Sequence, residues 1–209
     1  MPVITKLERQ KHNDTRVSVF VDGEYAFSLS DELIIEYKVA VGKDVTVLPL
    51  KEMAEEDEFK RAMACAFKHM SLSEKSEKQM REHLEKKEFS EKIIEKTVAR
   101  LKELNYIDDL SYARAFVEHT SASGKKAILY KLKSKGISEE IINEALEDVS
   151  DESQLENAVE LLKKQMPKYS KYDNYEKKRR LNGFLARKGY DWDIISEAID
   201  RVFSENEDF

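Results

Sequence analysis

At 209 residues, with 37% charged side chains, six glycines and three prolines, the chain is long enough for sizeable cores and too poor in turn formers for an all-β fold, so long solvated helices are expected. A single cysteine, Cys65, excludes an intramolecular disulfide, and the absence of an apolar run resembling a signal peptide or membrane span makes a reducing cytoplasm the expected compartment. The formal net charge of −6 excludes a protein whose whole surface binds nucleic acid, although the charge is unevenly placed.

The first fifty residues differ from the rest. In "TRVSVFVDGEYAFSLS", β-branched and aromatic residues flank Asp22-Gly23, a dipeptide suited to a type I′ turn in which both central residues need positive φ. Two antiparallel strands are expected there. "DELIIEY" reads as a short helix capped by Ser30 or Asp31, and "DVTVL" as a returning strand before Pro49, which makes 1–50 a small α+β domain with a β-hairpin.

From about Pro49 the pattern is helical and repeats itself. "LEKKEFSEKIIEKTVARL", "LKSKGISEEIINEALEDV" and "LARKGYDWDIISEAIDRV" align without gaps on Leu84, Leu132 and Leu185, on Phe89, Ile137 and Tyr190, and on the pairs Ile93-Ile94, Ile141-Ile142 and Ile194-Ile195. In each, one helix ends at Lys-Gly or Lys-Glu, an apolar residue follows, and a Ser or Asp cap opens the next helix. Gly136 and Gly189 suit the left-handed position past a helix, while Ser90, Ser138 and Asp191 suit N-caps followed by the acids Glu91, Glu139 and Asp193. A further apolar helix precedes each pair, at 59–69, 112–119 and 155–165. The expected fold is mainly α: an elongated array of three tandem three-helix repeats at 51–109, 110–153 and 154–209 behind the N-terminal domain.

Asp108 and Asp109 stand between the last helix of the first repeat and the first helix of the second, where an aspartate serves as a cap rather than as half of a catalytic pair. Cys65 and His69 have the i, i+4 spacing of half a zinc site, but His83 and His119 belong to other helices and share no motif with them. The chain also lacks a phosphate-binding glycine loop and a nucleophile elbow. Neither an enzyme, a metal nor a cofactor is expected.

The basic runs are the stronger signal. Ten Lys or Arg face two acids between Lys163 and Lys188, roughly +8, and the following stretch to Phe209 is roughly −6. "KKAILYKLKSK" carries Lys125, Lys126, Lys131, Lys133 and Lys135, and "EKKRRLNGFLARK" carries Lys177, Lys178, Arg179, Arg180, Arg187 and Lys188. Both runs fall on equivalent helices of the second and third repeats, where stacking aligns them into a basic stripe that would bind a partner or DNA.

Leu101, Asn105, Tyr106, Ile107, Asp108, Asp109, Tyr112, Ala113 and Phe116, together with Lys135-Gly136-Ile137 and the three helical units, resemble the RecX family of recombination regulators over nearly the whole chain. The stretch "SLSEKSEK" departs from the family pattern, with Ser73 and Lys75 where arginines are usual. The resemblance implies a non-catalytic regulator that binds the RecA recombinase filament on single-stranded DNA, lies in its groove and inhibits ATPase, strand exchange and co-protease activity. It also implies structural roles for Tyr106, Asp108, Asp109, Tyr112 and Phe116. A monomer with weak direct DNA contact and no membrane association is expected. Two rivals stay open: a direct DNA-binding protein with helix-turn-helix-like repeats, which predicts tight binding to naked DNA, and a structural adaptor, which predicts neither filament nor DNA binding.

Overall fold

A computed structural model describes residues 2–10, 13–44 and 47–207. Asp22 and Gly23 take φ of 51° and 93°, as the type I′ turn requires, and join β2 (Asn13–Val21) to β3 (Glu24–Ser30). A third strand, β1 (Ile4–Gln10), pairs antiparallel with β2, giving the sheet order β1-β2-β3. Its sequence hides it: among its residues only Ile4 is buried, and Lys6, Glu8 and Arg9 give it the charged character of an edge strand. The apolar face of the sheet, including Val19, Phe27 and Leu29, forms a core with Ile4, Val39 and Ala54. α1 (Asp31–Glu36) opens on Ser30, whose hydroxyl accepts the Leu33 N–H at 3.4 Å.

The returning strand expected at "DVTVL" does not form among the described residues. Asp44 makes only an isolated bridge to Val3, residues 45–46 lie outside the described residues, and Val47 and Leu48 already belong to α2 (Val47–Met70). Pro49 sits in the first turn of that helix, where the missing N–H would have no intrahelical partner. One helix therefore runs through the point where the composition changes.

The remaining helices complete three sets of three. α3 (Glu77–Glu85) and α4 (Glu91–Glu103) follow α2; α5 (Asp109–His119), α6 (Lys125–Ser134) and α7 (Glu139–Leu146) form the second set. The third comprises α8 (Asp151–Gln165), α9 (Asn174–Arg187) and α10 (Trp192–Glu207), with a 3-10 turn at Met166–Tyr169 inside the longer polar connection. Equivalent positions do equivalent work: Met80 and Leu84, Ile128 and Leu132, and Leu181 and Leu185 are all fully buried on the middle helices. Past each middle helix, Glu88, Gly136 and Gly189 share a left-handed backbone with φ of 60°, 85° and 84°. Phe89, Ile137 and Tyr190 then turn inward, the last two to 3% exposure.

Two compact units result. One comprises residues 1–73 and 80–104, the other residues 74–79 and 105–209. The second contains two cores, one around Ile128, Leu132 and Ile142 and the other around Leu162, Leu181 and Ala198. Among the described residues no helix is long and apolar enough to cross a membrane.

Candidate partner-binding surface

The basic surface is built at a recurring junction inside the second unit. At α6 the N-cap is Gly124, whose N–H donates to the Lys188 carbonyl at 3.0 Å, while the Lys126 N–H donates to the Gly189 carbonyl at 3.2 Å. Gly124 permits this approach because any Cβ there would overlap the Gly189 backbone. The equivalent position before α3 is Ser76, fully buried, whose hydroxyl donates to the Lys135 carbonyl at 2.7 Å. Thus the residue before α3 meets the end of α6, and the residue before α6 meets the end of α9.

This junction places the C-terminal end of α9, with Arg187 and Lys188, against the N-terminal end of α6, with Lys125 and Lys126. The adjoining ends of the two basic runs are thereby brought together. Their charges are not equally available. Lys125 pairs with Asp151 at 2.9 Å, Lys126 with Asp191 at 2.6 Å and Lys133 with Glu139 at 2.9 Å, and Arg179 and Arg180 share Glu176 at 3.1 and 2.9 Å. Such partly exposed pairs contribute little to stability and are readily exchanged for another anion.

Lys131, Lys135, Lys177, Lys178, Arg187 and Lys188 make no ion pair among the described residues. Three of them lie over aromatic rings: Lys135 over Tyr112 and Phe116 at 6.0 and 5.9 Å, Lys178 over Phe203 at 5.0 Å, and Lys188 over Phe184 at 6.0 Å. In each case the ammonium group lies over the ring face, an attraction that holds the side chain without engaging a carboxylate. Arg180 also stacks over Tyr172 at 4.2 Å. Tyr130 on α6, embedded in the first basic run, and Tyr175 on α9 are 76% and 80% exposed.

The signature residues mostly meet their own chain. Asp108 caps α5, accepting N–H groups from Leu110 and Ser111 at 2.9 and 3.1 Å and the Ser111 hydroxyl at 2.7 Å. The hydroxyl first, then the Ser111 amide, holds this carboxyl below its ordinary range. Asp109 instead reaches back 32 residues and accepts the Glu77 N–H at the start of α3 at 2.9 Å. Tyr112 and Phe116 pack on the Ile128–Leu132 core with rings 6.5 Å apart, and Tyr106 is 56% exposed. Gln154, 3% exposed, accepts the Lys125 N–H at 3.2 Å and so braces α6 from α8. Nothing in its sequence setting marked it.

Of the other expected caps, Ser138 accepts the Ile141 N–H at 3.4 Å. Ser90 has the extended cap geometry but makes no side-chain cap bond; its own N–H donates to Glu58 Oε1 at 3.2 Å. Asp191 turns one carboxylate oxygen to Lys126. In the first unit, Cys65 and His83, although on different helices, approach to 3.5 Å, and His69 stacks on His83 at 3.7 Å. Among the described residues no group of three His, Cys, Asp or Glu side chains has metal-holding geometry.

Tandem three-helix units that follow a small sheet in the chain define a helical-repeat protein. Family models match along the chain: the regulatory protein RecX N-terminal domain at residues 2–46 and the first, second and third three-helix domains of RecX at residues 62–101, 108–146 and 151–199. The regulatory protein RecX of Clostridium botulinum strain Alaska E43 is 39% identical over 98% of both chains, and that of Bacillus licheniformis is 35% identical over all of this chain and 80% of the relative. A crystal structure of RecX from Lactobacillus salivarius superposes with a TM-score of 0.66 at 27% identity, covering 70% of this chain and 97% of the other. A crystal structure of regulatory protein RecX, at 24% identity, shares the fold with a TM-score of 0.69 over 96% of this chain and all of that chain. The chain belongs to the RecX family of regulatory proteins.

Proposed function

We propose that this chain is a non-catalytic regulator that binds the RecA–DNA filament, in its groove and across adjacent protomers, and inhibits ATPase, strand exchange and co-protease activity. The observation that carries the reading is the Gly124–Lys188 junction, because it brings Lys125 and Lys126 at the start of α6 beside Arg187 and Lys188 at the end of α9. Uncompensated cations there suit acidic filament surface or strand phosphates, while the acidic face of α10, with Asp193, Glu197 and Asp200, suits basic surface. A protein holding two protomers in one relative arrangement opposes the changes that accompany ATP turnover, because it favours the state it binds best.

A second reading, direct binding to single-stranded DNA, is favoured by the exposed Tyr130 and Tyr175 on these same basic helices, since aromatic faces beside cations stack on bases. One titration separates the two. DNA-dependent ATP hydrolysis by the RecA recombinase is followed against increasing protein while binding to bare single-stranded DNA is measured in parallel. Inhibition well below the concentration that coats bare DNA supports the filament as target. Inhibition only at DNA saturation moves the assignment to DNA binding. Replacing Lys177, Lys178, Arg179 and Arg180 by Ala is expected to weaken filament binding with helical content intact, and unchanged binding would sink the role of α9.

A further inference from the structure

A sheet with one apolar face usually leaves the other to water. Here the polar face is partly covered. Cross-strand pairing aligns Glu8, Ser18 and Ser28 in one row, and Arg16, on the same face of β2, is only 7% exposed. A cavity of about 600 Å³ lies over this face, closed by Glu58 and Arg61 of α2 and by the turn carrying Lys87 between α3 and α4. Every one of these residues belongs to the first compact unit.

The polar groups of this cavity are incompletely satisfied. Ser28 takes a hydrogen bond from Gln10 Nε2 at 2.9 Å and shares one with the Tyr25 hydroxyl at 3.0 Å. Arg16 Nη2 donates to the Ser28 carbonyl at 3.0 Å, but its Nε has no acceptor among the described residues, and neither has Arg61 Nη1. Burial first, and then the neighbouring Arg61 charge, pushes Arg16 below the usual guanidinium range. A buried guanidinium beside a second, partly buried one, each with one N–H group unused, carries a cost that an anion between them would offset. The acids nearby, Glu88 in the lining among them, offset it only in part: Glu58 and Asp57 favour the charged Arg16 without outweighing its burial, Glu8 pairs with Lys6 at 2.9 Å, and Glu58 accepts the Ser90 N–H at 3.2 Å.

We propose that this cavity binds a small phosphorylated ligand, its phosphate held by Arg16 and Arg61 and its polar remainder received by the sheet. The volume falls within the range of small-molecule pockets, about 300 to 1,000 Å³, and a planar guanidinium fork matches phosphate oxygens better than a point charge does. The phosphate can come from a free nucleotide or from the phosphorylated end of a DNA strand. This inference concerns the first unit and does not depend on the role given to α6 and α9.

The test is calorimetric titration of the full chain with pyrophosphate, AMP, citrate, and one short oligonucleotide carrying either a 5′-phosphate or a 5′-hydroxyl. Saturable binding of AMP or pyrophosphate, weakened at least about tenfold by Arg61→Gln with an unchanged melting curve in the absence of ligand, is the expected result and identifies a free ligand. A preference for the phosphorylated oligonucleotide, lost in the same variant, also supports the site and identifies a strand end. No saturable binding of any phosphate probe at millimolar concentration, equal binding of citrate, or binding indifferent to Arg61→Gln overturns it. Arg16→Gln gives a second loss where that variant folds; Arg61, only partly buried, keeps the test decisive where it does not.

Discussion

The Asp109 carboxylate accepts the backbone N–H of Glu77 at 2.9 Å, so the first residue of α5 satisfies a donor at the first residue of α3. Its neighbour Asp108 satisfies two donors of α5 itself. Two adjacent aspartates thus cap two helices, and the negative charge of each sits at the positive end of a helix dipole.

Asp109→Ala is expected to lower unfolding stability by about 1–2 kcal/mol, the range for losing a charged cap to a partly buried amide. Asp109→Asn, which keeps an acceptor oxygen, should lose less. Denaturant unfolding of both variants reads this directly. Under the proposed function, inhibition of RecA per folded molecule should survive Asp109→Ala; its loss with an unchanged midpoint would make the aspartate a contact for the partner.

Glu88 occupies with φ of 60° the position that Gly136 and Gly189 fill in the other repeats. A side chain there strains the backbone by roughly 1–2 kcal/mol, against which glycine loses some 0.5–1 kcal/mol through its freer unfolded chain. Glu88→Gly should therefore raise stability by up to about 1 kcal/mol. A lowered melting temperature would mean that the glutamate makes a compensating interaction.

Tyr190 is 3% exposed, and its hydroxyl has no hydrogen-bond partner among the described residues. Burial pushes its pKa up to about 12, above the ordinary 10.0. The unfolded chain therefore releases this proton first, so the contribution to stability is complete below pH 10 and is lost progressively as pH rises to about 12. The loss is on the order of 2 kcal/mol. Tyr190→Phe should be at least as stable at neutral pH, because it removes an unsatisfied hydroxyl, and the gap between variant and parent should widen between pH 10 and 12. A constant gap across that window would show that the hydroxyl finds solvent.

The repeats were legible because burial recurs at fixed spacing. Leu84, Leu132 and Leu185 mark the same buried turn, and the Lys-Gly ends carry their conformational requirement in the glycine itself. The hairpin was legible for the same reason, since Asp22-Gly23 fits few backbones. What stayed hidden depends on distance or on an absent pattern. Asp109 and Glu77 are 32 residues apart, and Gln154 and Lys125 are 29 apart, so neither pairing shows in a local stretch of sequence. β1 has too few buried residues to alternate, and the start of α2 was obscured by Pro49, which reads as a stop but is tolerated in a first turn. The basic runs were visible as composition, but neither their meeting at Gly124 and Lys188 nor the acids already paired with five of their cations could be read from it.

The 24 residues of α2 extend for about 36 Å. Ala54 is buried in the sheet core, while Ala62 and Ala66 are buried further along, and no glycine or proline interrupts the helix after Pro49. Without such a break a helix resists sharp bending, so α2 acts as a stiff lever within the first unit. A displacement where Glu58 and Arg61 close the cavity would be transmitted along the shaft to Cys65 and His69 and to α4 beside it, leaving the sheet little freedom to move without taking α4 with it.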